Sequence, residues 1–153
     1  MTTSVTKRSR RHAEPPKSKW EIKPSLVVRG FRVSPEEITR LLGVSPTKTW
    51  VRGDLVVPLS SVLKRKDNAW LLAAPCAHTE PLTKQVEALL TKIAPAAAKF
   101  RQLPQGSVVE LYCAIYDYER SVVIQFSKRA LHDLAEIGAG IGIDYYDLTD
   151  WEE

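Results

Sequence analysis

The chain has 153 residues, of which 44% are hydrophobic and 26% charged, and 22 Lys+Arg against 18 Asp+Glu give a formal net charge of +4. These values are typical of one globular domain and exclude wholesale disorder, a collagen-like chain and a pure coiled coil. The longest uninterrupted apolar run, residues 69–74, is far shorter than the roughly 20 residues of a membrane-spanning helix. Two cysteines, Cys76 and Cys113, are too few for a disulfide framework and indicate a reducing compartment. We therefore expect a cytoplasmic protein with one folded domain and no membrane partner.

The charge is distributed unevenly along the chain. Residues 1–24 hold seven bases and two acids, so they carry +5 and leave −1 for the rest of the chain. Their few apolar side chains are too few to offset the entropy cost of ordering them. The last ten residues contain five acids and no base. We predict a flexible basic arm over residues 1–24, a single α+β domain over residues 25–147 and an acidic tail over residues 148–153.

The predicted domain begins with a strand and a helix. Residues 25–33 are rich in β-branched and apolar side chains, which predicts a strand. Ser34 then offers an N-cap hydroxyl, Pro35 suits the first helical position, and Glu37 completes a capping box. Gly43 is typical of a helix end. These cues predict a helix between Ser34 and Gly43.

The next segment predicts a loop and short strands. Residues 44–54 contain a proline and a glycine and are predicted to form a loop. Residues 55–59 include a proline, so they are predicted to form only a short edge strand. We expect residues 62–65 and 69–73 to form a hairpin, because residues 66–68 tolerate turn geometry.

A second helix and a long strand follow. From residue 79 apolar side chains recur at helical spacing, and residues 96–103 are expected to continue as a helix after Pro95. Residues 107–116 alternate in the period of two that predicts a strand with one buried face. Residues 121–126 are expected to pair with it in antiparallel orientation.

Ser127 is predicted to cap a third helix that ends at Gly138. Its inward side chains are expected to be Leu131, Leu134, Ala135 and Ile137. With a final strand over residues 141–146, the predicted order is β-α-β-β-α-β-β-α-β. We expect an α+β fold with a mostly antiparallel sheet and helices packed on one face, in two layers. The unit of strand, serine, helix and glycine occurs at Ser34 and again at Ser127, which fits either an ancient duplication or favourable capping chemistry alone.

Several stretches resemble one protein family. Residues 31–47 read FRVSPEEITRLLGVSPT, Gly53 follows, Trp70 lies in a predicted strand, and LHDLAEIGAGIGIDYY stands near the end. Together they resemble the bacterial family called domain of unknown function 4279, over about residues 25–146. The resemblance implies a small intracellular bacterial α+β domain, and it carries no activity or catalytic residues.

We find no catalytic or cofactor-binding pattern in the sequence. The glycine-rich residues 138–142 follow a predicted helix and enter a strand, whereas a phosphate-binding loop follows a strand and opens a helix. Cys76 and His78 lack the paired spacing of zinc ligands, and Cys113 is predicted to be a small buried thiol. His132 lies on the predicted outer face of a helix, where it is an ordinary surface residue. We therefore expect no enzyme activity, cofactor or metal.

The basic arm offers one cue to nucleic-acid binding. Lys7, Arg8, Arg10 and Arg11 place four fixed charges within five residues, which suits salt-sensitive, sequence-independent binding. No aromatic residue lies between them, and a solubilising tail explains them equally well.

Aromatic residues indicate a second candidate surface. Trp50 lies near Lys48 and Arg52 in the predicted loop, where it either anchors a partner or covers the sheet. Tyr112 and Tyr116 fall on the outward face of the long strand. Our leading hypothesis is a non-enzymatic domain that binds a protein through these residues, one version being an immunity-type protein that neutralises a toxin. The alternatives are nucleic-acid binding through the arm and small-ligand binding between helices and sheet. The sequence leaves the oligomeric state open.

Overall fold

The computed structural model describes residues 18–56 and 63–149. Within these ranges it contains five strands, three α-helices and one 3₁₀ helix. In chain order they are β1 (Trp20–Arg29), α1 (Pro35–Leu42), β2 (Lys48–Trp50), β3 (Ala69–Ala73), α2 (Leu82–Ile93), the 3₁₀ helix (Ala94–Gln102), β4 (Val108–Asp117), α3 (Lys128–Glu136) and β5 (Ala139–Asp147). The predicted α+β class is confirmed.

The described strands form one sheet in the order β2-β3-β1-β4-β5. All neighbouring pairs are antiparallel except β4 and β5, which are parallel and joined by α3. A parallel pair needs such a crossover, whereas antiparallel neighbours do not. The sheet is therefore mostly antiparallel, as predicted, and its described part has five strands.

Buried side chains follow alternate positions on one face of the sheet, and the helices pack on that face. On β4, Leu111, Cys113 and Ile115 are fully buried, while the residues between them are only partly buried. Trp70 on β3 is also fully buried, and its indole Nε1–H donates to Thr39 Oγ1 at 3.1 Å. A buried indole usually finds such a partner, so α1 and the sheet are joined by a hydrogen bond as well as by apolar contact.

β1 begins at Trp20, before the predicted start at residue 25. Ile22 is buried in the core, so residues 20–24, which we assigned to the arm, belong to the sheet. Trp20 and Ile22 alternate with charged residues in the pattern of a half-buried strand, but the surrounding charges hide this pattern in a composition count. Residues 1–17 of the predicted arm, residues 57–62 and the end of the predicted acidic tail lie outside the described residues.

The helix boundaries agree with the sequence cues, but the predicted side-chain cap at the start of α1 is absent. α1 ends at Gly43, whose φ of 69° is the left-handed conformation that glycine tolerates. The predicted capping box is wrong, because the Ser34 hydroxyl makes no capping bond. Pro95 lies at the start of the 3₁₀ helix, which continues directly from α2. No helix in the described ranges is long and apolar enough to cross a membrane.

The predicted hairpin between residues 62–65 and 69–73 is wrong. Residues 69–73 do form β3, but β3 pairs with β1 and β2, and Lys64 instead forms an isolated bridge with Leu55. β2 itself lies inside residues 44–54, which we predicted to be a loop. β3 is strongly apolar, and a position between two strands buries more of its surface than a hairpin at the edge.

Residues 121–126 form no strand, so the predicted antiparallel partner of β4 is also wrong. β1 and β5 occupy the two sides of β4 instead. Asp117, the last residue of β4, accepts the backbone N–H groups of Ser121 at 3.1 Å and Val122 at 3.2 Å. These bonds turn the chain toward α3 and away from β4.

α3 is rotated relative to the prediction. Ser127 caps it as predicted, since its Oγ accepts the backbone N–H of Ala130 at 3.1 Å. The buried residues at this helix are Ala130, Leu134 and Ile137. Leu131 and Ala135, which we predicted to point inward, are exposed. α1 buries the positions four and eight after Ser34, whereas α3 buries those three and seven after Ser127, so the two repeated units do not match at their buried positions.

Candidate functional site: the open face of the sheet

The face of the sheet opposite the helices, here called the open face, is not covered by any described helix. Side chains alternate between faces along a strand, so the register decides which residues share it. Lys48 and Trp50 on β2 lie in line with Leu71 and Ala69 on β3, and Tyr112 and Tyr116 lie at alternating positions of β4 on the same face. The structure thus brings four of the five predicted binding residues to one face, and these four are Lys48, Trp50, Tyr112 and Tyr116.

One end of the open face carries a group of five residues, here called the tyrosine corner. It consists of Lys23, Tyr112, Tyr116, Asp144 and Tyr146. The rings of Tyr116 and Tyr146 are stacked, with centroids 5.1 Å apart and planes 12° from parallel. Lys23 Nζ lies 5.3 Å from the centre of the Tyr116 ring, a cation–π distance.

The Tyr112 hydroxyl donates a hydrogen bond to the carboxylate of Asp144. This bond, together with burial and the negative charge of Asp144, raises the pKa of Tyr112 to about 12. At neutral pH the Tyr112 hydroxyl therefore stays protonated and donates to Asp144, and it does not act as a base. Asp144 was not predicted as a site residue, and it reaches Tyr112 because β5 pairs in parallel with β4.

The register between β4 and β5 explains how the tyrosine corner is assembled. Tyr116 pairs with Tyr146, so two large rings meet on adjacent strands. Tyr112 pairs with Gly142, and a Cβ at that glycine would lie 2.8 Å from Glu110 Oε1. The missing side chain leaves room for the Glu110 carboxylate beside Tyr112. Local sequence predicts none of these contacts, because they depend on which strand follows the α3 crossover.

The other end of the open face carries Lys48, Trp50 and Arg65, here called the tryptophan corner. The Arg65 guanidinium lies 4.2 Å from the centre of the half-buried Trp50 ring. The backbone of Arg65 is held in place because its backbone N–H donates a hydrogen bond to the backbone carbonyl of Asp54 at 2.7 Å. Arg52, the fifth predicted residue, lies beyond the end of β2 and lines a surface cleft. The sequence analysis named Lys48 and Arg52 beside Trp50, whereas Arg65 contacts the ring.

The two corners are distant from one another. Trp50 on β2 lies in the same row of the sheet as Val108 on β4, which is eight residues from Tyr116. Since β2 and β4 are also three strand spacings apart, Trp50 and Tyr116 are about 30 Å from one another. The predicted residues therefore share a face without forming one cluster. The tyrosine corner mixes a base, an acid and three phenols, whereas the tryptophan corner carries two bases.

Behind the tyrosine corner, on the helix side, Asp117 is a buried carboxylate. Tyr145 Oη–H donates to it at 2.8 Å, and the N–H groups of Glu119, Ser121 and Val122 donate at 3.3, 3.1 and 3.2 Å. Burial alone would raise the pKa of Asp117, but these four donors favour the charged form and hold its pKa below the ordinary value. Asp117 therefore ties the end of β4 to β5 and to the turn that follows.

In residues 18–56 and 63–149, no three His, Cys, Asp or Glu side chains come close enough to hold a metal ion. Cys113 is fully buried, and burial raises its pKa to about 12, so its thiol stays protonated. His132 is exposed on α3, with Nε2 3.9 Å from Glu136 Oε1. Residues 138–142 follow α3 and enter β5, as the sequence predicted.

Two clefts open at the end of the sheet near the tryptophan corner and the 3₁₀ helix. The first has a volume of about 630 Å³, and three bases, Arg32, Arg52 and Lys66, line it. The second, of about 550 Å³, lies between the 3₁₀ helix and the ends of β4 and β5, with Phe100 and Leu103 in its wall. The predicted nucleic-acid residues Lys7, Arg8, Arg10 and Arg11 lie outside the described residues.

These features define a two-layer α+β domain with helices on one face of a five-stranded sheet and aromatic residues on the other. Residues 20–148 match the model of the family described as domain of unknown function (DUF4279). The chain belongs to this family. The match begins at the first residue of β1 and leaves out residues 1–19 of the predicted basic arm. No match was found among curated proteins or among solved structures.

Proposed function

We propose that this domain is a non-enzymatic, intracellular binding module that contacts a protein partner through the open face, chiefly at the tyrosine corner. The observation that carries the proposal is the stacked pair of Tyr116 and Tyr146 on a face that no described helix covers. Tyrosine is enriched where proteins bind one another, because its ring buries a large area at small entropic cost and its hydroxyl keeps a polar contact.

The tyrosine corner is also arranged in advance of binding. Tyr112 is fixed by Asp144, and Tyr116 is held between Lys23 and Tyr146. Side chains that are already ordered lose little freedom on association, so more of the contact energy appears as affinity. The acid and the base within the corner additionally favour a partner of complementary charge pattern over a purely apolar one.

A narrower version of the proposal is an immunity-type protein that neutralises a toxin. Its support is the analogy with other small α+β domains and the mixed charge of the open face, so it remains a proposal about the class of partner. Trp50 supplies a second contact about 30 Å from Tyr116, next to the positive charges of Lys48 and Arg65, which suits a partner large enough to span the face.

A photo-crosslinking experiment tests the proposal in the native cell. Glu21 lies in the row of Tyr116 and Tyr146 on the open face, so a benzoylphenylalanine at position 21 samples the corner without removing any tyrosine. The matched control is position 123, because Val123 is 68% exposed and lies outside the sheet. We expect one discrete covalent adduct from position 21 and none from position 123.

Adding the Tyr112→Ala and Tyr116→Ala substitutions to the position 21 variant is expected to abolish the adduct. Equal adducts from positions 21 and 123, or an adduct that survives the loss of both tyrosines, would show that the tyrosine corner is not the binding surface.

A further inference from the structure

The two edges of the sheet are protected very differently. β2 at one edge has only three residues and includes Lys48, which makes a poor template for further strand pairing. β5 at the other edge has nine residues and contains neither proline nor lysine. In the part of the chain that the structure describes, β5 pairs only with β4, so its outer row of backbone N–H and C=O groups has no strand partner.

β5 also exposes large apolar side chains. Ile141, Ile143 and Tyr145 on the helix side are 39%, 37% and 44% exposed, and Tyr146 on the open face is 45% exposed. A long edge strand with unpaired backbone groups and exposed apolar side chains is a template for pairing with another strand. The backbone and the side chains therefore both indicate an additional strand beside β5.

α3 extends this apolar surface on the helix side. Leu131 is 48% exposed, although its spacing in the sequence predicted burial. At 100° per residue, Leu131 lies on one flank of the buried stripe of α3 and Asp133 on the other. α2 packs against α3, and in a right-handed crossover the Leu131 flank lies on the side of the free edge of β5. Leu131 therefore stands above the same edge as Ile141 and Ile143.

We propose that β5 pairs in antiparallel orientation with β5 of a second copy of this chain, with Ile143 opposite its own counterpart. Ile143 is the central residue of Ala139–Asp147, so this is the one register that pairs all nine residues of both strands. The two sheets then form one continuous sheet of ten strands, and a two-fold axis perpendicular to it keeps the helices of both copies on one side.

The proposed register keeps the acids of the two copies from facing one another directly. It places Asp144 opposite Gly142 and Asp147 opposite Ala139, so neither acid faces another acid directly. Ile141 faces Tyr145, an aliphatic and aromatic pair of the kind that stabilises antiparallel strands. Each Asp144 is held on its own side by the hydroxyl of Tyr112. A register centred on Asp144 would instead oppose the two carboxylates, which disfavours it.

The second copy is the occupant best supported by these residues. The fit comes from β5 meeting itself, whereas Tyr112 and Tyr116 lie on β4, outside the paired strand. The proposal is therefore independent of the protein partner proposed above, and variants of Tyr112 and Tyr116 are expected to keep the dimer.

Sedimentation equilibrium of the full chain, over roughly 1 to 100 µM, tests the oligomeric state. We expect a mass that rises from the monomer to twice that value in the wild type. Ile143→Lys puts two like charges opposite one another at the axis and is expected to keep the mass at the monomer value. Val51→Lys is the matched control, because Val51 is 46% exposed beside β2, and it should behave as the wild type.

Circular dichroism shows whether each variant is folded, and the sedimentation result is interpreted only for folded variants. A wild type that stays monomeric at every concentration overturns the proposal. Pairing of β5 with the chain's own basic arm would give this result. A folded Ile143→Lys variant that still forms the dimer also overturns it.

Disulfide trapping in a Cys76→Ser background tests the register separately. Opposite residues of an antiparallel pair have Cα atoms about 4.5 to 5.5 Å apart, within the range of a disulfide. Ile143→Cys is therefore expected to form a covalent dimer on oxidation, whereas Ile141→Cys alone is not. The double variant Ile141→Cys with Tyr145→Cys should crosslink again. Equal crosslinking by the two single variants would exclude the proposed register.

Discussion

The tyrosine and tryptophan corners lie at opposite ends of one open face, and they are supported differently. The tyrosine corner stands on β4 and β5, two long strands paired in register from Val109↔Ala139 to Asp117↔Asp147. Trp50 lies on β2, a strand of three residues at the sheet edge. Tyr116 contacts another ring and a cation, whereas the described ring contact of Trp50 is with Arg65 alone. The length of the supporting strands and the number of ring contacts thus give the tyrosine corner more support than the tryptophan corner.

The largest expected effect concerns Asp117, which supports the tyrosine side. Asp117→Asn replaces one accepting oxygen by a donor and leaves buried N–H groups unpaired, so we expect a loss of about 1 to 3 kcal/mol in urea unfolding. Asp54→Asn is the matched control near the tryptophan corner, where the carboxylate accepts the exposed N–H of Val51 at 2.7 Å. Its cost is expected to stay below about 1 kcal/mol. Equal losses of unfolding free energy in Asp117→Asn and Asp54→Asn would contradict the stronger support of the tyrosine corner.

The same carboxylate sets an acid dependence. The hydrogen bonds to Asp117 lower its pKa in the folded state, so its contribution to stability is present above the unfolded pKa of about 3.9. That contribution is lost as pH falls through the lower folded pKa. The melting temperature of the wild type should therefore fall more steeply than that of Asp117→Asn below about pH 4. Parallel curves for the two proteins would contradict the assignment.

A smaller effect distinguishes one phenol in the tyrosine corner. Tyr112 is expected to ionise only near pH 12, because its hydroxyl donates to Asp144 and the negative charge of Asp144 opposes ionisation. Absorbance titration of the wild type against Tyr112→Phe identifies this phenol. Asp144→Asn should bring its pKa down toward the ordinary value of about 10. A titration of Tyr112 that Asp144→Asn leaves unchanged would show that the hydrogen bond does not control it.

At the tryptophan corner the expected effect on stability is small. Arg65→Gln removes the cation from the Trp50 ring and should cost about 0.5 to 1 kcal/mol in urea unfolding, the usual size of an exposed cation–π contact. Lys48→Gln, which removes a neighbouring charge without touching that contact, is the control and should cost less. A larger loss from Lys48→Gln would place the stabilising cation elsewhere.

The basic arm should leave the free energy of unfolding unchanged. Replacing Lys7, Arg8, Arg10 and Arg11 by glutamine in the full chain tests the nucleic-acid alternative without touching the described domain. If the arm binds phosphate groups, the wild type binds duplex DNA at low salt and the fourfold variant does not. Equal, negligible binding by both proteins would leave the arm as a solubilising segment.

The sequence predicted those elements whose signals are local. Pro35 and Gly43 bound α1 as expected, and Leu111, Cys113 and Ile115 alternate into the core of β4. These predictions succeed because capping and period-two alternation act within a few residues. The placement of Tyr112 and Tyr116 on the outward face succeeded for the same reason.

Two failures are local, namely the capping box at Ser34 and the buried stripe of α3. The other failures concern pairing between distant segments. Residues 69–73 lie next to a plausible turn, yet β3 pairs with β1 and β2, because central burial outweighs local hairpin formation. Residues 121–126 form no strand, since the carboxylate of Asp117 bonds to that turn and β5 occupies the side of β4 away from β1. Asp144 and Arg65 were missed as site residues because only the sheet order brings them to Tyr112 and Trp50. No periodicity in the sequence encodes that order.

The most direct test of the central claim compares the two corners in one affinity measurement. The partner crosslinked from position 21 would be purified, and its Kd measured for the wild type, for Tyr112→Ala with Tyr116→Ala, and for Trp50→Ala. If the tyrosine corner is the principal contact, the double variant weakens binding by at least about tenfold and Trp50→Ala by less than about threefold. A double variant that binds as tightly as the wild type, or a larger loss from Trp50→Ala, would contradict the account.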